Sequence, residues 1–205
     1  MQIYVKSHWG VPLKGRFINN DSDTLCIILP GIAYLLDRSY LDYGKKMASE
    51  LGMDVYEMEY GFQLTRDKFD IEREFNLLAD ESIEAITRAI KKPYSRYVII
   101  GKSIGTCIQI LLNNELQSKG KPITNVYLSP IDKTVAMGVT KDSLVLTGLS
   151  DPLITHENID QLKQIEGTKV VAVEGANHSL DIEGNILKTL DVLKENFLTI
   201  KDFIS

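Results

Sequence analysis

The chain has 205 residues, of which 44% are hydrophobic and 25% are charged, and its formal net charge is -5. This size and balance suit a single globular domain over residues 1–205 and argue against disorder. Lys and Arg are scattered rather than gathered in a basic stripe, so we expect no nucleic-acid partner. The apolar runs are too short to cross a bilayer and none follows a basic leader, so we expect a cytoplasmic protein without membrane contact.

The N-terminal third of the chain begins with two short strand-like segments, 2–6 and 13–18. They are joined through His8 to Pro12, which predicts an antiparallel hairpin. Six further apolar, β-branched runs predict strands, at 24–30, 54–60, 96–101, 124–129, 144–148 and 169–175. Helical spacing predicts helices at 37–51, 69–92, 104–119, 155–165 and 184–197.

After the hairpin, predicted strands and helices alternate along the chain. This order predicts an α/β fold in which a mostly parallel sheet carries helices on both faces and has an antiparallel edge. Ligands of such sheets bind beyond the carboxyl ends of the strands. The loops that leave those ends are therefore where candidate functional residues are sought.

Two cysteines, Cys26 and Cys107, lie far apart within apolar patterns. This placement favours buried free thiols over a disulfide framework or a metal site. The acidic residues of the predicted helix 69–92 lie mostly off its apolar stripe and indicate a solvated face.

The segment YVIIGKSIGT, residues 97–106, is open to two interpretations. Gly101-Lys102-Ser103 resembles the end of a phosphate-binding P-loop, but that motif requires a glycine at position 96, which is Arg96, and a flexible loop where this chain has a strand. The spacing of a dinucleotide-binding motif is also absent. The alternative is a Gly-x-Ser-x-Gly turn that presents a nucleophilic serine.

The serine interpretation fits its surroundings, because a buried strand precedes Ser103 and a helix follows it. In such a turn the serine backbone is strained, and Gly101 and Gly105 avoid collisions two residues before and after it. The amide of Ile104 then lies at a helix N-terminus, where it can stabilise a developing negative charge.

A nucleophilic serine needs a base, and the chain has three histidines. His178 follows the last predicted strand, at a carboxyl end from which it can reach Ser103; a loop histidine at a helix start is the alternative. His156 opens a predicted helix and His8 lies in the hairpin turn, so both are interpreted as solvated or capping residues.

The base in turn needs an orienting carboxylate. Asp151 follows the strand 144–148 and precedes Pro152, so it can serve that role, cap the next helix, or do both. Asp132, after the preceding strand, is the rival acid, and chain order favours Asp151. Asp181 is interpreted as a local cap.

A second oxyanion donor is expected from the loop after the third predicted strand. Pro30 and Gly31 end that strand, Gly31 lets the backbone approach a ligand, and the amide of Ile32 can point inward. An ordinary strand-ending Pro-Gly turn is the alternative.

Together, the segments LPGIAY, GKSIG, LSDP and GANHS resemble the α/β-hydrolase superfamily in its compact, lidless serine-hydrolase branch, over nearly the whole chain. The resemblance implies Ser103 as nucleophile, His178 as base, Asp151 as orienting acid, and the amides of Ile32 and Ile104 as oxyanion hole. Pro30 departs from the family pattern, in which many relatives have His, and this puts in doubt how the loop is held. Lys102 is either an exposed lysine or a group that binds an acidic part of the substrate.

The functional hypothesis is hydrolysis of a small ester or thioester through an acyl-enzyme, with a small-molecule acyl substrate and no metal or organic cofactor. The segment 129–142 is too short for a cap domain, so an open site is expected. Two alternatives use the same fold: a binding or scaffold protein without catalysis, and an acyltransferase. The acyl chain, the leaving group and the oligomeric state stay open.

Overall fold

The computed structural model describes residues 5–118 and 120–205. Its first two strands, β1 (Val5–Lys6) and β2 (Pro12–Leu13), pair antiparallel as a small hairpin. The next strand, β3 (Arg16–Ile18), joins the main sheet instead. Residues 2–4 of the first predicted strand and residue 119 of a predicted helix lie outside the described residues.

The predicted strand 13–18 is therefore interrupted. Gly15 lies at the break, and a Cβ atom there would be 2.1 Å from the Tyr56 hydroxyl. The backbone thus passes so close to the Tyr56 ring that a side chain at this position would require the ring to move. The hairpin and the sheet edge were predicted as one unit, but they are separate in the structure.

Seven strands form the central sheet in the order β3-β5-β4-β6-β7-β8-β9. Its other members are β4 (Thr24–Leu29), β5 (Asp54–Glu57), β6 (Arg96–Lys102), β7 (Ile123–Leu128), β8 (Ser143–Gly148) and β9 (Lys169–Val173). Edge strand β3 runs antiparallel to β5, and every other pairing is parallel. The predicted mostly parallel sheet with an antiparallel edge is confirmed.

Helices cover both faces of this sheet. They are α1 (Ser39–Glu50), α2 (Gly61–Thr65), α3 (Ile71–Ala89), α4 (Ile104–Gln117), α5 (Asp132–Met137), α6 (His156–Lys163) and α7 (Ile186–Ile204). Alternate residues of β4 enter two separate apolar clusters, one containing Ile27 and the other Ile28. Strands buried on both faces in this way have continuous apolar runs, which is why the sequence pattern located them.

Two helices were not predicted, α2 and α5, because five or six residues are too few to show a helical period. Helix α7 continues to Ile204 rather than ending at 197. Cys26 and Cys107 are buried free thiols, as expected. Among the described residues, no helix is both long enough and apolar enough to span a membrane.

Asp54 is the first residue of β5, at the amino ends of the parallel strands, and its side chain is fully buried. It accepts hydrogen bonds from the Tyr94 hydroxyl at 2.7 Å and from the amide of Asn20 at 2.9 Å, and Lys92 Nζ lies 2.9 Å away. Burial opposes the charged form, but Lys92, Tyr94 and two backbone amides outweigh it and lower the pKa of Asp54 to about 2. The carboxylate therefore joins three separate segments of the chain.

Replacing this carboxylate tests its contribution to stability. We expect Asp54→Ala to lower the free energy of unfolding by about 3 kcal/mol, because it leaves buried donors without an acceptor. Urea denaturation followed by circular dichroism measures the change. Asp160→Ala, which removes an exposed carboxylate paired with Lys163, is the matched control and is expected to leave it nearly unchanged, because solvent screens exposed ion pairs.

Candidate active site

Four loops meet at the carboxyl edge of the parallel strands. They follow β4, β6, β8 and β9 and carry Ile32, Ser103, Asp151 and His178 respectively. Because neighbouring parallel strands end at the same edge, residues far apart in the sequence become neighbours here.

Ser103 lies at a sharp turn between β6 and α4. Its backbone angles, φ 55° and ψ -121°, belong to a region that non-glycine residues rarely occupy. The turn brings backbone segments into close contact: a Cβ atom on Gly105 would lie 2.6 Å from the carbonyl oxygens of Leu29 and Pro30. A Cβ on Gly101 would lie 2.4 Å from Gln109 Oε1. Both glycines are therefore required by space, as the serine interpretation expects.

Ser103, His178 and Asp151 form a continuous chain of hydrogen bonds. His178 Nε2 lies 2.9 Å from Ser103 Oγ, and His178 Nδ1 lies 2.7 Å from Asp151 Oδ2. The Asp151 side chain is fully buried, whereas the His178 side chain is 25% exposed and Ser103 is 7% exposed. A neutral imidazole that donates from Nδ1 to Asp151 can accept the serine proton at Nε2.

Asp151 is held by its own turn as well as by the histidine. Its Oδ1 accepts the amide of Leu153 at 2.9 Å, so the residue closes the turn before α6 and orients His178 with its other oxygen. Behind it, a Cβ atom on Gly148 would lie 2.1 Å from the Ala176 carbonyl oxygen. That glycine lets the loops of Asp151 and His178 lie side by side.

The loop that carries His178 is closed by a side chain. Asn177 Oδ1 accepts the amides of Ser179 at 2.9 Å and Asp181 at 3.2 Å. Leu180 is fully buried at φ 66°, which anchors the loop in the core. These contacts restrict the backbone on the far side of the histidine.

The other residues considered from the sequence lie elsewhere. Asp132 accepts the amide of Thr155 at 2.8 Å and Asn158 Nδ2 at 2.7 Å, so it is bound to the start of α6 rather than to His178. His156 begins α6, and His8 is exposed. Within the described parts of the chain, no group of three or more His, Cys, Asp or Glu side chains could hold a metal ion.

The loop after β4 lies directly against the serine. A Cβ atom on Gly31 would be 3.1 Å from Ser103 Cβ, and Gly31 N donates to the Tyr34 carbonyl at 3.0 Å. In the hydrogen bonds among described residues, the amides of Ile32 and Ile104 donate to no acceptor.

Two residues that the sequence did not single out hold this loop. The Tyr60 hydroxyl donates to the Pro30 carbonyl at 3.0 Å, and Gln63 Nε2 donates to the Gly31 carbonyl at 2.7 Å and to the Ile32 carbonyl at 3.2 Å. They fix the carbonyls of the loop from the side of α2. These contacts hold the loop in which Pro30 stands where many relatives have His.

Lys102 differs from both expectations for it. The side chain is fully buried, so it is neither an exposed lysine nor a group open to the substrate. Its Nζ donates to the His178 carbonyl and lies 5.0 Å from the centre of the Tyr34 ring. Burial lowers the pKa of Lys102 to about 7, although the charges of Asp151 and Asp181 act in the opposite direction.

No family model matches the sequence, and no curated protein matches it significantly. Solved structures do resemble it. A lidless α/β serine hydrolase from Xanthomonas campestris superposes with a TM-score of 0.69 at 15% identity, covering 94% of this chain and 89% of that one. Est1E from Butyrivibrio proteoclasticus, with ferulic acid bound, gives 0.63 at 16% identity and covers 97% and 99%.

A dienelactone hydrolase from Anabaena variabilis gives a TM-score of 0.66 at 17% identity, covering 96% of this chain and 95% of that one. The common architecture of these neighbours is the α/β-hydrolase fold, and the chain has this fold in its lidless form. The expected resemblance is confirmed at the level of the fold.

The close backbone contacts at the serine turn can be tested with alanine. We expect Gly105→Ala to lower the free energy of unfolding by about 1–3 kcal/mol, because the new methyl group meets backbone atoms that cannot move aside. Gly44→Ala is the matched control: it is also helical and buried, and its Cβ would meet only Ile100 Cδ1 at 3.6 Å. That variant is expected to be neutral or up to about 1 kcal/mol more stable. Equal losses in the two variants, measured by urea denaturation, would contradict the proposed crowding at Gly105.

Proposed function

We propose that this protein is a serine hydrolase that cleaves a small ester or thioester through an acyl-enzyme on Ser103. The observation that carries the proposal is the hydrogen-bonded chain from Ser103 through His178 to Asp151, at 2.9 Å and 2.7 Å. The lidless α/β-hydrolase fold of its structural neighbours supports a hydrolase.

In the first half of the reaction, Ser103 Oγ attacks the carbonyl carbon of the substrate while His178 Nε2 takes its proton. Asp151 stabilises the imidazolium that forms and keeps the ring in place. The negative charge on the substrate oxygen is stabilised by the amides of Ile32 and Ile104. The imidazolium then gives its proton to the departing alcohol or thiol as the carbon–oxygen or carbon–sulfur bond breaks.

In the second half, water attacks the acyl group on Ser103 and His178 removes a proton from it. Collapse of the second tetrahedral intermediate releases the carboxylic acid and returns the proton to the serine oxygen. The imidazole must be neutral at each attack, because only the neutral ring can accept a proton at Nε2. The reaction uses only groups of the chain and water.

The loop after β4 is here called the oxyanion loop, because the amide of its Ile32 is a proposed oxyanion donor. A groove beside this loop is a candidate for binding the apolar part of a substrate. It has a volume of about 440 Å³. Its lining has an apolar part, formed by Ile32, Leu35, Phe62 and Phe69, and a charged part, formed by Arg66, Asp67 and Lys68. Gln63, which holds the oxyanion loop, also lines it. The groove shares Ile32 with the proposed oxyanion hole, and we propose it on that ground as the place for an acyl or alcohol group of moderate size.

A binding protein without catalysis is the second candidate, and the small exposure of Ser103, 7%, favours it. A serine this enclosed needs either a narrow approach for the substrate or no substrate at all. The distance to His178 argues for the enzyme, because an imidazole at 2.9 Å is in place to take the proton.

A fluorophosphonate probe separates these two candidates. We expect the wild-type protein to be labelled at Ser103 with loss of fluoride, and Ser103→Ala to be unlabelled and inactive against chromogenic esters and thioesters of increasing chain length. Ser82→Ala is the control, because Ser82 is also buried but its hydroxyl lacks a partner among the described residues. Mass spectrometry of the labelled peptide gives the position. Labelling at another residue, or none, rejects the enzyme and leaves the binding protein.

The role of Gln63 in holding the oxyanion loop gives a kinetic prediction. We expect Gln63→Ala to reduce kcat by about 10²-fold, the cost of one misplaced oxyanion donor. Labelling of Ser103 should continue, since the serine, histidine and aspartate are untouched.

The matched control for Gln63 is Gln161→Ala, at an exposed position of α6. It should keep the wild-type rate. If Gln63→Ala raises KM and leaves kcat unchanged, Gln63 acts in ground-state binding and the oxyanion role assigned to its loop is wrong.

A further inference from the structure

The side chain next to the proposed nucleophile is an ammonium group with no access to solvent. Lys102 is the last residue of β6 and is 0% exposed. Side chains alternate along a strand, so Lys102 points to the same face as Ile100 and enters the core between the sheet and the loops that carry Tyr34 and His178.

A buried ammonium group is costly unless other groups compensate for its lost hydration. Around Lys102 the compensation comes from three loops. The loop after β9 gives the carbonyl of His178 and the charge of Asp181, the loop after β8 gives the charge of Asp151, and the loop after β4 gives the ring of Tyr34 at 5.0 Å. All three loops belong to the candidate site.

The hydrogen bond from Lys102 ends on the backbone of the residue whose ring joins Ser103 to Asp151. His178 is thereby held at two points, its carbonyl by Lys102 and its ring by Asp151 and Ser103. Fixing both the backbone and the ring determines where Nε2 lies. A displacement of a reacting group by about 1 Å can cost about 10²-fold in rate.

We propose that Lys102 is a positioning residue that holds the backbone of His178 so that its imidazole stays between Ser103 and Asp151. The expected effect on the rate rests on the proposed hydrolase function. The hold of Lys102 on the backbone of His178 does not depend on that function. A charged donor forms a hydrogen bond about twice as strong as a neutral one. The hold on His178 is therefore strongest while the lysine is protonated.

The ionisation of Lys102 falls in an accessible pH range, because burial lowers its pKa to about 7. Above that pH the ammonium becomes a neutral amine, the contact with His178 weakens, and the rate is expected to decrease. Tyr34 does not add a charge in this range, since burial raises its pKa. The wild-type rate should therefore decrease on the alkaline side of its pH profile as Lys102 loses its proton.

The first test is kinetic and compares Lys102→Met with the wild type. Methionine has a similar length and no charge, so we expect kcat to fall by about 10-fold to 10²-fold with little change in KM, because the side chain does not touch the substrate. The alkaline decrease should also disappear. Lys163→Met, on the exposed side of α6, is the control and should keep both the wild-type rate and the wild-type profile.

The second test needs no enzymatic activity. The chain has three histidines, so a long-range nitrogen–proton correlation spectrum is simple, and His178→Gln assigns the signal. We expect the signal of the hydrogen-bonded Nδ1 proton of His178 to be visible in the wild type. In Lys102→Met this signal should disappear through exchange with water or change its chemical shift. If the probe fails to label Ser103, the proposed function fails, and this spectrum still decides the role of Lys102.

The third test follows stability with pH. The folded protein releases the Lys102 proton near pH 7, whereas the unfolded chain keeps it to about 10.5. The unfolded state therefore binds more protons at this residue between these values, and the contribution of Lys102 raises the stability of the wild type as pH rises through this range. Relative to the wild type, Lys102→Met should have a higher Tm at pH 6, and the difference should shrink by pH 9.

Two results would overturn the proposal. One is a Lys102→Met variant with the wild-type kcat and an unchanged His178 signal. The other is a variant that loses rate equally at every pH, keeps the alkaline decrease, and has the same Tm difference from the wild type at pH 6 and pH 9. These results would describe a residue that only fills space.

Discussion

The close approach of backbone segments around Ser103 is the constraint on which the candidate site depends. The carbonyl oxygens of Leu29 and Pro30 occupy the volume that a side chain at Gly105 would need. The strained serine turn and the loop after β4 are therefore in direct contact. The positive φ of Ser103 persists because neighbours on both sides of the turn leave no relaxed alternative. The packing of the buried sheet beneath the turn offsets the free-energy cost of this backbone strain.

Two sets of contacts hold the loops around this turn in place. Tyr60 and Gln63 hold the carbonyls of the loop after β4, and the amide of Ile32 has no acceptor among the described residues. Asp151 and Lys102 hold His178 by its ring and by its backbone. Tyr60, Asp151 and Lys102 are buried, so their hydrogen bonds are little weakened by water, whereas Gln63 is half-buried.

Much of the site could be predicted from the sequence because its chemistry is tied to local signals. Ser103 is marked by glycines at fixed spacing, and Asp151 and His178 each follow a strand that ends at the same edge. The choice of Asp151 over Asp132 depended on chain order, and the structure places Asp151, not Asp132, beside the histidine. The supporting residues had no such signal: Gln63 lies in a five-residue helix, and nothing in its neighbourhood indicates a contact with Gly31.

The sequence by itself determined the six parallel strands β4 to β9, the longer helices and the chain order of the three candidate side chains, because apolar periodicity and glycine spacing are properties of neighbouring residues. Only the tertiary structure decided the environment of Lys102. A lysine is exposed in most contexts, and its burial here results from loops that are distant in the chain and meet above one strand. Burial, charge and hydrogen bonding at that position depend on distances between segments that no local pattern encodes.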